Sequence, residues 1–214
     1  MEVEIETYLF KSPACINIAG PSQSGKSTAI HKILTNLWVF EQKPVGFVFC
    51  KGIETDQKWS DDVIEFKGIP TEQEISKFSE RFNKEHWVLI FDDLITEMCG
   101  DKNTIHIFTR TIHHMNMTLI YSSQNVFSKN SRTHSLNTHY FLLTRNYRDL
   151  NQVKYLLSQI FPGKGKAGLL CYKDAISHEK CRPPMLYIDC YSFSTSKFRL
   201  QSCVFEEVRV IYEV

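Results

Sequence analysis

The stretch Cys15-Ile16-Asn17-Ile18-Ala19-Gly20-Pro21-Ser22-Gln23-Ser24-Gly25-Lys26-Ser27-Thr28 decides the fold. It opens with a short apolar run and continues through the pattern G-x-x-x-x-G-K-S, from Gly20 to Ser27. Apolar residues at helical spacing follow it, at Ala29, Ile30, Ile33, Leu34 and Leu37. A strand, a glycine-containing loop and a helix in this order favour an α/β fold.

The glycine-containing loop is suited to an anion. Gly20 and Gly25 allow the backbone to turn successive N–H groups inward, and the start of the helix adds positive potential. Lys26 is expected to reach the β- and γ-phosphates of a nucleotide, and the Ser27 hydroxyl to ligate Mg²⁺. The predicted phosphate-binding residues are Gly20, Pro21, Ser22, Gln23, Ser24, Gly25, Lys26, Ser27 and Thr28.

Short apolar runs alternate with amphipathic segments along the rest of the chain. The runs at residues 14–19, 45–50, 87–91, 118–122, 140–144 and 185–190 lack strict alternation, as expected of strands covered on both faces. Thr71 and Glu74 form a capping-box pattern, Asp149 can cap a helix that ends before Pro162, and residues 104–115 also look helical. We therefore predict one domain over residues 1–214, with a mainly parallel sheet and helices on both faces.

Polar side chains follow two of these apolar runs directly. Asp92 and Asp93 come after residues 87–91, at the edge of a parallel sheet where ligands bind. Asp92 is expected to hold Mg²⁺, and Asp93 to orient or deprotonate an attacking water. Alternatively, one of the two caps the helix that starts near Leu94. Two adjacent acids favour nucleotide hydrolysis over nucleotide storage.

Gln124 follows the run at residues 118–122. If that strand lies beside the glycine-loop strand, the amide can bond the γ-phosphate or the water; otherwise it is a turn amide that satisfies local backbone. Asn125 is a weaker candidate.

Composition limits the classes of function. The 25 basic and 24 acidic residues exclude a histone-like polycation, yet residues 101–200 carry nine more bases than acids and could face a polyanion. Seven cysteines without a C-x-x-C pair argue against a disulfide framework or a zinc ribbon and favour a reducing compartment. No apolar run is long enough to cross a bilayer, and the acidic start lacks the layout of a signal peptide. Residues 163–166, Gly-Lys-Gly-Lys, predict a flexible basic turn.

The chain resembles the FtsK–HerA superfamily of ring ATPases, and most of all the genome-packaging ATPases of Polinton/Maverick elements and adintoviruses, relatives of the poxvirus packaging ATPases. The resemblance covers about residues 14–205. Besides the three motifs above, it rests on residues 107–116 (IFTRTIHHMN), 121–127 (YSSQNVF), 131–140 (SRTHSLNTHY) and 147–149 (YRD). It implies a P-loop NTPase of the ASCE type, in which the strand that carries Gln124 separates the glycine-loop strand from the Asp92 strand.

The same resemblance implies a function and partners. It implies a DNA-dependent ATPase with ATP and Mg²⁺, a homo-oligomeric and usually hexameric ring, double-stranded DNA as the partner, and a capsid portal or vertex as the docking point. Such a protein is expected in the host nucleus, at a virus assembly site or in the virion, and not in a membrane. Arg148 and Arg132 are candidates for an arginine that reaches a neighbouring subunit's γ-phosphate, with Arg110 third. Relatives more often carry Lys at the position of Arg110.

Two other functions compete with this interpretation. A small nucleotide kinase also fits the size and the loop, but no compact arginine-rich lid is visible. A remnant that binds nucleotide or DNA without turnover would fit if the catalytic side chains were lost, and they are present.

Overall fold

A central nine-stranded sheet organises the molecule. We analysed a computed structural model, which describes residues 8–52, 63–99, 101–128, 131–192 and 199–214. The strand order is β3-β2-β4-β5-β1-β6-β7-β8-β9. The first six in this order run parallel, and β7, β8 and β9 continue the sheet antiparallel. The acidic start of the chain lies outside the described residues.

The strand bounds agree closely with the apolar runs. The strands are β1 Cys15–Ala19, β2 Phe47–Lys51, β3 Val63–Lys67, β4 Trp87–Phe91, β5 Met117–Ser123, β6 Tyr140–Thr144, β7 Met185–Asp189, β8 Leu200–Ser202 and β9 Val210–Tyr212. All six predicted strands are present. The sequence reasoning missed β3, β8 and β9, because β3 is an edge strand with Glu65 and Lys67 among its apolar residues and the other two have three residues each.

Helices occupy both faces of the sheet. They are α1 Lys26–Thr35, α2 Glu72–Arg81, α3 Ile95–Met98, α4 Lys102–His106, α5 Ile112–His114, α6 Arg132–Leu136, α7 Leu150–Ile160 and α8 Gly165–Ala175. A π-helical turn, Ile107–Thr111, joins α4 to α5. The predicted capping box of α2 is present, and Asp149 caps α7 by accepting a hydrogen bond from the Gln152 N–H.

Alternate residues of the strands build the core on the two faces. Ile16 and Ile18 of β1 pack with Ile30 of α1 on one face. On the other face, one cluster joins β2, β4 and β5 to α2 and the α4–α5 segment, and a second joins β6 and β7 to α7 and α8. Every residue of β1, β4 and β6 is buried, which explains why their runs do not alternate. The predicted α/β architecture, with helices on both faces, is confirmed.

Two expectations from the sequence need correction. The turn predicted for residues 163–166 covers only Gly163, with φ of 78°, and Lys164, because α8 begins at Gly165, where the missing side chain leaves room for Ser158 of α7. Cys181 and Cys203 form a disulfide, with Cα atoms 5.2 Å apart. The separation of 22 residues does not predict this disulfide, because the two cysteines come together only when β8 pairs antiparallel with β7.

Candidate functional site

The loop between β1 and α1 is fixed by its own lysine. The Lys26 side chain is 8% exposed, and its ammonium donates hydrogen bonds to the carbonyls of Gly20 at 2.9 Å and Pro21 at 3.1 Å. Gln23 and Gly25 adopt positive φ values of 63° and 99°. This compact loop leads directly into α1, whose first residue is Lys26. A lysine and the N-terminus of a helix therefore lie together, as a phosphate group requires.

Hydrogen bonds to two neighbouring strands fix the start of the loop. The Gly20 N–H donates to the Ser123 carbonyl at the end of β5, at 3.0 Å. On the other side, the Thr144 hydroxyl at the end of β6 donates to the Ala19 carbonyl at 3.1 Å. Because Thr144 has a single hydroxyl proton, the 2.6 Å bond between Ser24 and Thr144 is donated by Ser24. A Cβ at Gly20 would collide with Thr144, so glycine is required there.

The segment before β7, residues 182–184, packs against Gly25. A Cβ placed on Gly25 would lie 2.6 Å from the Cβ of Pro183, and the φ of 99° would strain any side chain. Pro183 is buried although it follows the exposed Arg182. Substitution at Gly25 would therefore displace both the loop and the segment of residues 182–184.

A hydroxyl of the neighbouring strand contacts both of the acidic residues after β4. The Ser122 hydroxyl of β5 donates to Asp92 Oδ1 at 2.6 Å and accepts from the Asp93 N–H at 2.9 Å. Asp93 is exposed and has a φ of 54°, a left-handed conformation that Asp and Asn tolerate better than most residues. One serine thus holds the Asp92 carboxylate and the backbone of Asp93.

The environment of Asp92 suits a divalent cation. Burial raises the pKa of its carboxyl, the Ser122 hydrogen bond and the Lys26 charge lower it, and the Asp93 charge raises it further. A buried carboxylate whose charged form is disfavoured gains most from a cation beside it. The Asp92 carboxylate and the Ser27 hydroxyl are oxygen donors, which Mg²⁺ prefers. These residues fit the predicted Mg²⁺ site.

The strand order brings the three predicted motifs to one edge of the sheet. β5 lies between β4 and β1, so the strand that carries Gln124 separates the Asp92 strand from the glycine-loop strand. Gln124 is exposed and shares a narrow crevice with Gly20 and Thr144. Asn125 instead lines a small pocket with Asn17 and Ser123. The predicted ASCE order is therefore present, and Gln124, not Asn125, shares the crevice with Gly20.

The arginine candidates lie in different places. Arg148 is exposed in a groove that also contains loop residues 21–25 of the same chain. Arg132 is the exposed first residue of α6, and Arg110 is exposed on the π-helical turn. A role for any of them across a subunit boundary stays a prediction.

Sequence reasoning missed several side chains that shape the site. Ser122, Thr144 and Pro183 contact the glycine loop or the acids from β5, β6 and the segment before β7. A signal existed for the first two, since each is a hydroxyl at the last position or last but one of its strand, directly after a run of apolar residues. Pro183 carried no comparable signal.

Two features that often point to a function, a membrane-spanning helix and a cluster of metal-ligating side chains, do not occur in the described residues. In the described part of the chain, every helix is too short or too polar to cross a bilayer. In the same residues, His, Cys, Asp and Glu side chains do not gather in threes around a common metal position.

Three solved structures from Sulfolobus viruses are similar in fold to this chain. No protein-family model and no curated protein sequence matches the chain. The genome packaging NTPase B204 of Sulfolobus turreted icosahedral virus 2, in complex with sulfate, is 12% identical with a TM-score of 0.59, over 94% of this chain and 96% of that one. The same protein in complex with ATP-gammaS is 13% identical with a TM-score of 0.54, over 94% and 97%.

A third structure agrees with these two. The DNA-packaging ATPase B204 of Sulfolobus Turreted Icosahedral Virus is 13% identical with a TM-score of 0.55, over 94% of this chain and 98% of that one. At these identities the likeness concerns the path of the backbone. Together with the loop, the strand order and the acids after β4, it shows that the chain has the fold of the P-loop NTPases.

Proposed function

We propose that the protein hydrolyses ATP with Mg²⁺ and uses the energy to move double-stranded DNA, as a genome-packaging motor of the FtsK–HerA type. The observation that carries the proposal is the position of β5 between β4 and β1, with Gln124 at its end. This order aligns an amide, two acids and a lysine along one edge of the sheet. A kinase would need a phosphate acceptor there, whereas Asp93 and Gln124 are suited to a water molecule.

Each side chain has a distinct task in the proposed reaction. Lys26 and the loop N–H groups bind the phosphates, and the exposed Asp93 orients and accepts a proton from the attacking water. Gln124 donates to the γ-phosphate or the water. Ser27 and Asp92 would hold Mg²⁺, which supplies charge neutralisation on the β- and γ-phosphate oxygens.

The neighbours support the motor function by analogy of fold. B204 is described as a genome packaging NTPase and a DNA-packaging ATPase. The sequence segments that resemble the packaging ATPases of Polintons and adintoviruses support the further proposal that the chain works as a hexameric ring at a capsid portal or vertex inside the cell. Exposed lysines on and before α8, at Lys164, Lys166 and Lys173, offer a surface for DNA phosphates.

The test is ATP turnover with and without double-stranded DNA. We expect Mg²⁺-dependent release of phosphate that DNA stimulates, and a loss of at least about 100-fold in Lys26→Ala, because the lysine stabilises the transferring phosphoryl group. Light scattering with an ATP analogue and DNA should show a ring. Turnover equal to that of Lys26→Ala would refute hydrolysis. Transfer of phosphate to nucleoside monophosphates would favour a kinase, and a persistent monomer would refute the motor.

A further inference from the structure

A second feature adjoins the phosphate loop on the side away from the acids. A groove of about 650 Å³ is lined by loop residues 21–25 and Thr28, by residues 145–148 after β6, and by residues 182–184 before β7. This volume is typical of small-molecule sites. The groove lies at the tips of β6 and β7, whereas Asp92 and Asp93 follow β4 on the opposite side of β1.

The two sides of the loop define the two ends of a bound nucleotide. Asp92, Asp93 and Gln124 follow β4 and β5, on the other side of β1 from the groove, so the β- and γ-phosphates belong on that side. Thr28, the third residue of α1, lines the groove instead. A nucleoside attached to those phosphates would therefore extend into the groove.

The wall of the groove offers a large aromatic surface. The Tyr147 side chain is 70% exposed, and the Arg145 guanidinium lies 5.9 Å from the centroid of its ring. Arg145 is itself fixed, because its Nε and Nη2 donate to the Ile176 carbonyl at 3.1 and 2.8 Å. The guanidinium therefore gives the ring a neighbour whose position is fixed.

The backbone that carries this ring is also fixed. The Asn146 N–H donates to the Tyr172 hydroxyl at 2.8 Å, and Tyr172 in turn donates to the Thr144 carbonyl at 2.8 Å. The Asn146 side-chain oxygen accepts from the N–H groups of Arg148 and Asp149, at 3.0 and 3.1 Å. An exposed tyrosine on a rigid turn is preorganised for a planar ligand.

We infer that Tyr147 is the base-stacking residue of the nucleotide site, and that it binds the flat face of a purine. This inference rests on the proposed nucleotide-binding function and adds the contact that recognises the nucleoside. Stacking acts through the face of the base, so it favours ATP and GTP to a similar degree.

Isothermal titration of the full-length protein with Mg²⁺ present tests the inference, with ATP, GTP and inorganic tripolyphosphate as ligands. In Tyr147→Ala, affinity for both nucleotides should fall about tenfold. Affinity for tripolyphosphate should be unchanged, because only the nucleotides carry a base that can stack on the ring. Tyr147→Phe should bind like the wild type. Tyr155→Ala, which removes another exposed tyrosine outside the groove, is the matched control and should bind all three ligands normally.

Four results would overturn the inference. They are unchanged nucleotide affinity in Tyr147→Ala, an equal loss for tripolyphosphate, a loss confined to one nucleotide, and an equal loss in Tyr147→Phe. The readout is binding and needs no turnover. A protein that binds ATP through Tyr147 but does not hydrolyse it would refute the proposed function alone, and a Lys26-dependent ATPase with unaltered Tyr147→Ala binding would refute the stacking contact alone.

Discussion

The hydroxyl of Ser122 donates to Asp92 Oδ1 at 2.6 Å, and the same oxygen accepts the N–H of Asp93 at 2.9 Å. A residue of β5 therefore orients the Asp92 carboxylate and holds the backbone of Asp93, both of which follow β4. Because β5 also carries Gln124, any movement of β5 would move the acids and the amide together.

We predict that Ser122→Ala lowers the ATPase kcat by about 10- to 100-fold and changes nucleotide affinity little. The variant leaves the phosphate loop intact but removes the contact that holds Asp92 and Asp93, and misplacement of about 1 Å can cost 100-fold. Steady-state kinetics and titration with ATP measure the two effects. Ser177→Ala, an exposed serine on the connection after α8, is the control. A wild-type kcat in Ser122→Ala would show that the hydrogen bonds are not needed.

The two acids should behave differently when each is changed to the amide. Asp93→Asn is expected to keep ATP affinity and lose turnover, whereas Asp92→Asn should weaken Mg²⁺-dependent binding as well. Asn tolerates the left-handed conformation at residue 93, so the backbone strain is the same in wild type and variant. Titration with and without Mg²⁺, combined with single-turnover hydrolysis, separates the effects. Equal loss of binding in both variants would contradict this division of roles.

Without nucleotide, Asp92→Asn should raise the melting temperature at pH 7. The pKa of Asp92 is raised in the folded state, mainly by burial. Its protonation therefore favours folding below the ordinary aspartate pKa, and this contribution is lost as pH rises through the folded-state pKa. The gain in the variant should shrink as the pH is lowered, because the wild-type carboxyl then becomes neutral too. Thermal scans from pH 7 downward measure this gain, and Glu80→Gln, at an exposed residue, is the control. A difference in melting temperature that does not change with pH would show that burial of the charge is unimportant.

Acid should destabilise the start of β1 through His139. Its Nδ1 accepts the Cys15 N–H at 2.9 Å, so that nitrogen carries no proton, and burial together with the His113 charge lowers its pKa to about 4. A depressed pKa gives stability that is present above the ordinary value of 6.5 and is lost as pH falls through about 4. His139→Gln should be less stable at pH 7 but lose stability less steeply over this interval. Urea unfolding at several pH values measures the slope, and parallel slopes would argue against His139 as a source of acid sensitivity.

The Cys181–Cys203 disulfide should stabilise the segment that covers the phosphate loop. It closes a loop of 22 residues and lies two positions before Pro183, which contacts Gly25. Loop closure of this length is worth about 3 kcal/mol. Cys203→Ser should lower the stability of the oxidised protein by a similar amount and leave the reduced protein unchanged. Denaturant unfolding with and without reductant, together with a count of reactive thiols, measures this. A full complement of thiols in the freshly purified protein would fit the reducing compartment expected from composition and would contradict the bond.

Local sequence determined the parts of this protein that depend on neighbouring residues. The glycine loop, the helix that follows it, the buried strands, the capping box of α2 and the N-cap of α7 could all be predicted, because turn geometry, helical spacing and apolar runs act over a few residues. The acids after β4 and the glutamine after β5 could be named as candidates for the same reason. The edge strands β3, β8 and β9 escaped detection, since short or half-polar strands owe their pairing to partners elsewhere in the chain.

Tertiary structure decided what those candidates face. The order β4-β5-β1 was an expectation from resemblance until the sheet placed Gln124 beside Gly20. Ser122 reaches Asp92 across 30 residues, Thr144 reaches Ala19 across 125, and Cys203 bonds to Cys181. Tyr147 likewise lines a groove together with residues 21–25 and 182–184, which are distant from it in sequence. Each of these contacts depends on which strands lie side by side, and the burial of apolar faces over the whole chain selects that arrangement, which no local pattern of residues encodes.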